Sequence, residues 1–223
     1  MSSLAKGLQM RLGNQKEEHA PAEDGGVTLS ISAGRDASGR EPVRASASAQ
    51  SVTEAMQELQ DRSRSDELFF YGTGCILLGE AAAAETARWL ELIARSESLR
   101  LDTPLFIVRS GEASELVTEA GGEESDITQI MQALMHYAEK SGPARIYTCA
   151  DAARALIENG AALTGAVRKG EDAPKEGSLT AELDGYAILG GKGRLMGYID
   201  GEEYARLMLV VGTDEGGLTH PRW

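Results

Sequence analysis

Residues 183–212, LDGYAILGGKGRLMGYIDGEEYARLMLVVG, constrain the fold more than any other stretch of this 223-residue chain. Leu183, Gly185, Ala187 and Leu189 alternate with Asp184, Tyr186, Ile188 and Gly190, which leaves apolar groups on both faces. A strand of that kind requires cover on both sides. Gly190-Gly191-Lys192-Gly193 then supplies the positive-φ positions of a tight hairpin. On the return strand Leu195, Gly197 and Ile199 share one face, and Met196 and Tyr198 share the other. Asp200 and Glu203 stand at capping-box spacing. Tyr204, Leu207, Met208 and Val211 follow at i, i+3, i+4 and i+7, a stripe expected to lie against the sheet. A strand–turn–strand–helix unit with this burial demand predicts an α+β fold. Its form is a mixed β-sheet flanked by helices, with room for two small subdomains, ending in a β-hairpin plus helix.

The rest of the chain reads as short strands and helices in the same style. Residues 1–26 are polar, alternate in charge and predict a disordered segment. Order is expected over 27–212, with 213–223 as a tail. Val27, Leu29 and Ile31 alternate with Thr28, Ser30 and Ser32 as a half-buried strand. After a polar loop over 34–42, Val43, Ala45, Ala47 and Ala49 form a thin face that a helix can cross closely. Ser51 and Glu54 open that helix, with Val52, Ala55, Met56 and Leu59 on its stripe. Residues 68–71 read as a buried strand end and 75–78 as a central strand. A helix over 79–96 carries Ala83, Ala87, Leu90, Ile93 and Ala94, and Pro104 precedes a buried strand over 105–108. Residues 111–117 suggest a short helix, broken by Gly121-Gly122. Ser125 caps a helix bearing Ile127, Ile130, Met131, Leu134 and Ala138. Thr148 opens a helix stopped by Asn159-Gly160, and 163–168 reads as a strand before a mobile charged loop over 169–177.

Composition closes off several functions. A formal net charge of −13 disfavours sequence-independent nucleic-acid binding, which works by neutralising phosphates. The same charge disfavours docking on anionic lipid. No apolar run approaches the roughly 20 residues of a membrane span, so no direct membrane insertion is expected. The opening MSSLAKGLQMRLGNQKEEH has no continuous hydrophobic region and no lipobox. Cys75 and Cys149 sit in apolar settings and read as buried thiols. His19, His136 and His220 share no metal-ligand spacing with them, and no metal or cofactor is expected.

The motifs with chemical potential resolve into architecture. A phosphate loop needs four residues between its glycine and Gly-Lys-Ser/Thr. Gly185 has that spacing but meets Gly190-Gly191, Lys192 is followed by Gly193, and a hairpin turn accounts for the whole run. Gly72-Thr73-Gly74 begins a dinucleotide fingerprint whose third glycine would fall at Leu77, inside a strand. Glu123-Glu124 with Asp126, and Asp200 with Glu202-Glu203, are acidic helix starts of the kind a helix dipole favours. No catalytic residue set is read, because no spacing sets a nucleophile beside a base.

Collinear pieces over 27–59, 69–117 and 183–212 resemble the N-terminal region of the GerAC-type (Ger(x)C) spore germination proteins. Ser51-Val-Thr-Glu-Ala resembles the family's "ti-x-EA" helix start. Phe70-Tyr71-Gly72 and Ile76-Leu-Leu-Gly-Glu80-Ala81 resemble its aromatic-Gly-His step and "viiGEelA" turn, with Thr73 in place of the His. The run from Arg95 through Arg100 and Phe106 to Val108 is similar to the family's "R-x-x-e-(I/L)-R" segment. Gly185–Leu189 and Arg194–Glu202 resemble its closing strands. The resemblance implies a non-enzymatic, lipoprotein-like C-subunit component of a nutrient germinant receptor. Its partners would be the other, membrane-embedded subunits, and its place the extracytoplasmic side of the spore inner membrane. The alternatives are a small-ligand or nucleotide-binding α/β domain using the turns at Gly72 and Gly190, and a hydrolase with an unrecognised site.

Overall fold

The structure, a computed structural model, describes residues 8–14, 27–33, 43–62, 70–111, 113, 116–117, 127–140, 145–170 and 181–211. Its centre is a mixed eight-stranded sheet. The strands are β1 (Leu8–Asn14), β2 (Val27–Ala33), β3 (Val43–Ala49), β4 (Thr73–Gly79), β5 (Leu105–Val108), β6 (Ala162–Lys169), β7 (Ala181–Gly190) and β8 (Arg194–Ile199), in the spatial order β3-β2-β1-β4-β5-β6-β7-β8. β1, β4, β5 and β6 run parallel at the middle, and antiparallel pairs close both sides: β2 and β3 on one, β7 and β8 on the other.

Both faces of the sheet are covered. On the first lie α1 (Val52–Arg62), α2 (Glu80–Ala83), α3 (Thr86–Arg95) and α5 (Cys149–Asn159). They bury Val52, Ala55, Leu59, Trp89, Leu90, Ile93, Cys149 and Ala152 against Leu29, Ile31, Ala47, Ile76, Leu78, Leu105, Ile107, Ala187 and Leu189. On the second face α4 (Ile127–Lys140) packs Ile127 and Met131 on Cys75, Leu77, Phe106, Val108 and Val167, beside Ala113, Leu116 and Val117. The run Cys75-Ile76-Leu77-Leu78 explains this arrangement. Its odd positions feed one core and its even positions the other, as a strand with no polar face must. α6 (Gly201–Val211) lies against β7.

Local signals placed many elements correctly. Thr148 and Asp151 make a complete capping box at the start of α5, and Gly160 ends the helix at φ 68. Asp200 and Glu203 exchange hydrogen bonds in the same way at the start of α6, at 2.7 and 3.0 Å. The Glu54 N–H donates to the Ser51 hydroxyl at 3.2 Å, and α1 crosses the alanine face of β3 as expected.

Other expectations are corrected. Residues 8–14, read as part of a disordered 1–26 segment, form β1, the strand that joins β2 to β4. Phe70–Gly72 is a 3-10 turn, not a strand end, tied by the Thr73 hydroxyl donating to the Phe70 carbonyl at 2.5 Å. The helix expected over 79–96 breaks at Ala84-Glu85 into α2 and α3. Trp89 turns inward there, with its indole N–H on the Ala82 carbonyl at 2.9 Å, and Ala94 is exposed. A bulge in β8 pairs Ile188 with Gly197 but Leu189 with Leu195. Leu195 and Tyr198 therefore pack on the same core, and the expected faces of β8 are exchanged along its length. The acidic start at Glu123-Glu124-Asp126, its Ser125 cap, the charged loop beyond Gly170, the 213–223 tail, His19 and His220 lie outside the described residues.

Candidate functional site

The glycine turns are structural where they are described. In the hairpin, Lys192 and Gly193 take positive φ values of 63 and 72. A β-carbon at Gly193 would sit 2.5 Å from the Ala87 backbone nitrogen, so the turn is pressed onto α3 at that residue. Gly72 ends the 3-10 turn that leads into β4. Gly185 lies in a bulge of β7, where Gly165 pairs with Tyr186 and Val167 with Leu183. Its φ of 77, and the collision that any β-carbon there would make with the Ile199 carbonyl oxygen, fix the residue as glycine. The fold thus spreads the suspected loop residues over a strand bulge and a packed turn.

Beyond the carboxyl ends of the parallel strands lies a polar cluster that the sequence did not disclose. The Tyr198 hydroxyl donates to Glu80 Oε1 at 2.8 Å, and the Ser110 N–H reaches the same oxygen at 3.3 Å. Arg109 stacks over the Tyr198 ring, 4.8 Å from its centroid, and pairs with Asp184 at 3.1 Å. Burial, then the bond to Glu80, hold the Tyr198 hydroxyl well above its ordinary range. The cluster clasps β8 to α2, and every group that it brings together is already paired. His136 is exposed on α4, and Cys75 and Cys149 are buried in different cores. Burial pushes the Cys149 thiol up to about 12, which suits packing and not nucleophilic attack. Among the described residues no three His, Cys, Asp or Glu side chains gather as metal ligands.

A second grouping holds α6. The rings of Tyr186 and Tyr204 stack at 3.8 Å, and Tyr147 meets each edge-on at 5.9 and 6.5 Å. The Tyr147 and Tyr204 hydroxyls share a hydrogen bond of 3.0 Å, and the Arg145 N–H donates to the Tyr186 hydroxyl at 2.9 Å. Burial raises all three phenols, that of Tyr186 to about 12. One tyrosine comes from the segment before α5, one from β7 and one from α6, so no local pattern announced the group. Its effect is to anchor α6 through Tyr204. Leu207, expected on the buried stripe, is 38% exposed, and Leu209 and Val210 are 58% and 84% exposed. On β8, Met196 is 69% exposed. The hairpin and helix therefore present apolar side chains to solvent.

The fold is α+β, a mixed eight-stranded sheet with helices on both faces. The family model described as the spore germination protein N-terminal domain matches residues 19–169, and the chain belongs to this family. The resemblance read from the sequence is thereby borne out. A solved structure, that of the GerBC protein, is similar at 17% identity and a TM-score of 0.46. The similarity covers 92% of this chain and 57% of that one, so the chain spans a little over half the length of GerBC. No curated protein matches.

Proposed function

We propose that the chain is a non-enzymatic, C-subunit-like component of a nutrient germinant receptor. It acts through protein–protein contacts with the membrane-embedded subunits, on the extracytoplasmic side of the spore inner membrane. The observation that carries this reading is the exposed apolar surface of α6 within a domain of a spore germination family. Leu209 and Val210 stay outside the core although Tyr204, on the same helix, is locked in. Solvent exposure of such groups is costly to solubility and is compensated when a partner covers them. No helix among the described residues is long and apolar enough to cross a membrane.

The test replaces Leu209 and Val210 together with aspartate in the spore-forming host. The double variant is expected to keep its fold by circular dichroism, to stop co-purifying with the membrane subunits and to lose nutrient-triggered germination. Unchanged co-purification and germination would refute the assignment of this surface.

A further inference from the structure

On the second face of the sheet, between β5, β6, β7 and α4, lies a cavity of about 190 Å³ lined by Phe106, Ala138, Ile146, Gly165, Leu183 and Tyr186. Gly185 and Gly201 line it as well, and Arg145 stands with them. Small residues and one ring shape its floor. At Gly165 a β-carbon would come within 2.6 Å of the Phe106 ring, so the ring lies flat across a bare strand position. Ala138 and Gly201 are the smallest residues of their helices, and they leave room beside the ring. The walls that remain are two aromatic rings and two branched aliphatic groups.

Those walls are held before any ligand arrives. Phe106 and Ala138 are fully buried. The Tyr186 ring is fixed on one side by its stack on Tyr204 and at its hydroxyl by the Arg145 N–H. The guanidinium of Arg145 is directed to Asp151, 3.7 Å away, and to the Tyr147 ring at 5.2 Å. That leaves the cavity lined mainly by carbon. A mainly apolar cavity of this size takes small aromatic guests, because the lining atoms lack dispersion partners until one enters. A preformed site also avoids the ordering cost of binding.

We propose that this cavity is a binding site for a small, neutral, compact apolar molecule, aromatic or branched aliphatic, of roughly the size of benzene or toluene. It is separate from the glycine turns at Gly72 and Gly190, and it stands independently of the receptor role assigned to α6. Recognition is by shape and ring contact. The ligand shares a wall with the α6 anchor, since Tyr186 faces the cavity and also stacks on Tyr204.

Benzene titrated into the purified 223-residue chain tests the site by amide NMR. Saturable shifts confined to the amides of Ala138, Gly165, Gly185, Tyr186 and Gly201 are expected, together with a rise in Tm. The Ala138→Phe variant places a ring in the cavity and should weaken benzene binding at least about tenfold. If circular dichroism shows that variant unfolded, Leu183→Phe fills the cavity from the opposite wall and carries the same expectation. Two results overturn the proposal: wild-type shifts that are absent, unsaturable or confined to the outer face of α6, or a folded cavity-filling variant that binds benzene as the wild type does.

Discussion

Any β-carbon at position 185 would run into the Ile199 carbonyl oxygen and the Asp200 backbone, where the bulge of β7 packs against the end of β8. The backbone there sits at φ 77, a region costing an ordinary residue about 1–2 kcal/mol before any clash is counted. Gly185→Ala is therefore expected to lose about 2–4 kcal/mol of stability, read as a lower urea midpoint at unchanged slope. A midpoint within error of wild type would show that the bulge relaxes freely. The sequence marked Gly185 as a strand residue and as a glycine at phosphate-loop spacing. It could not mark it as a bulge, because the extra residue exists only relative to the register of β6. The three tyrosines were hidden for the same reason, since ring partners drawn from separate elements leave no periodic trace.

Helices were legible where the signal is local. In the capping box of α5 the Thr148 hydroxyl accepts from the Asp151 N–H at 3.1 Å, and the Asp151 carboxylate accepts from the Thr148 N–H at 3.0 Å and hydroxyl at 2.8 Å. Burial, the largest single influence on Asp151, pushes its carboxyl up. The Thr148 N–H and hydroxyl, with Arg145 and Arg154, together outweigh it and hold the carboxyl below its ordinary value. A depressed carboxyl stabilises the fold above the unfolded value near 3.9, and that contribution fades as the pH falls through the lower folded value. Thr148→Ala should cost about 1 kcal/mol at neutral pH, with the difference from wild type shrinking in acid. Melts of both proteins across the acid range check it, and a gap that widens on acidification would contradict the box. α6 has an equally clear cap, yet its buried face was misjudged at Leu207. A helix with apolar residues most of the way round does not say which of them a single layer of sheet will cover.

At the scale of the whole molecule, the sheet is continuous only because β1 stands between β2 and β4. Removing residues 1–14 would separate the β2–β3 pair and α1 from the rest. The truncated chain is expected to lose its single cooperative thermal transition, measured by circular dichroism. A shortened chain melting at the wild-type temperature would show that β1 is dispensable. The outer edges are managed differently. At β3, Arg62 of α1 donates to the Ser46 carbonyl at 2.7 Å, and at β8 the bulge around Met196 interrupts the ladder. Both are devices that discourage further strand addition.

By its own pattern the sequence determined the class of fold, the central two-faced strand at Cys75–Leu78, the capped starts of α1, α5 and α6, and membership in the spore germination family. All of these depend on neighbours within about four residues along the chain, or on short collinear motifs. The tertiary structure alone decided that residues 8–14 join the sheet and where the bulges fall. It also decided which face of α6 is left bare, and that a cavity lies beside Phe106. Those outcomes depend on register and on which layer arrives from elsewhere in the chain, and neither quantity is written in any one segment.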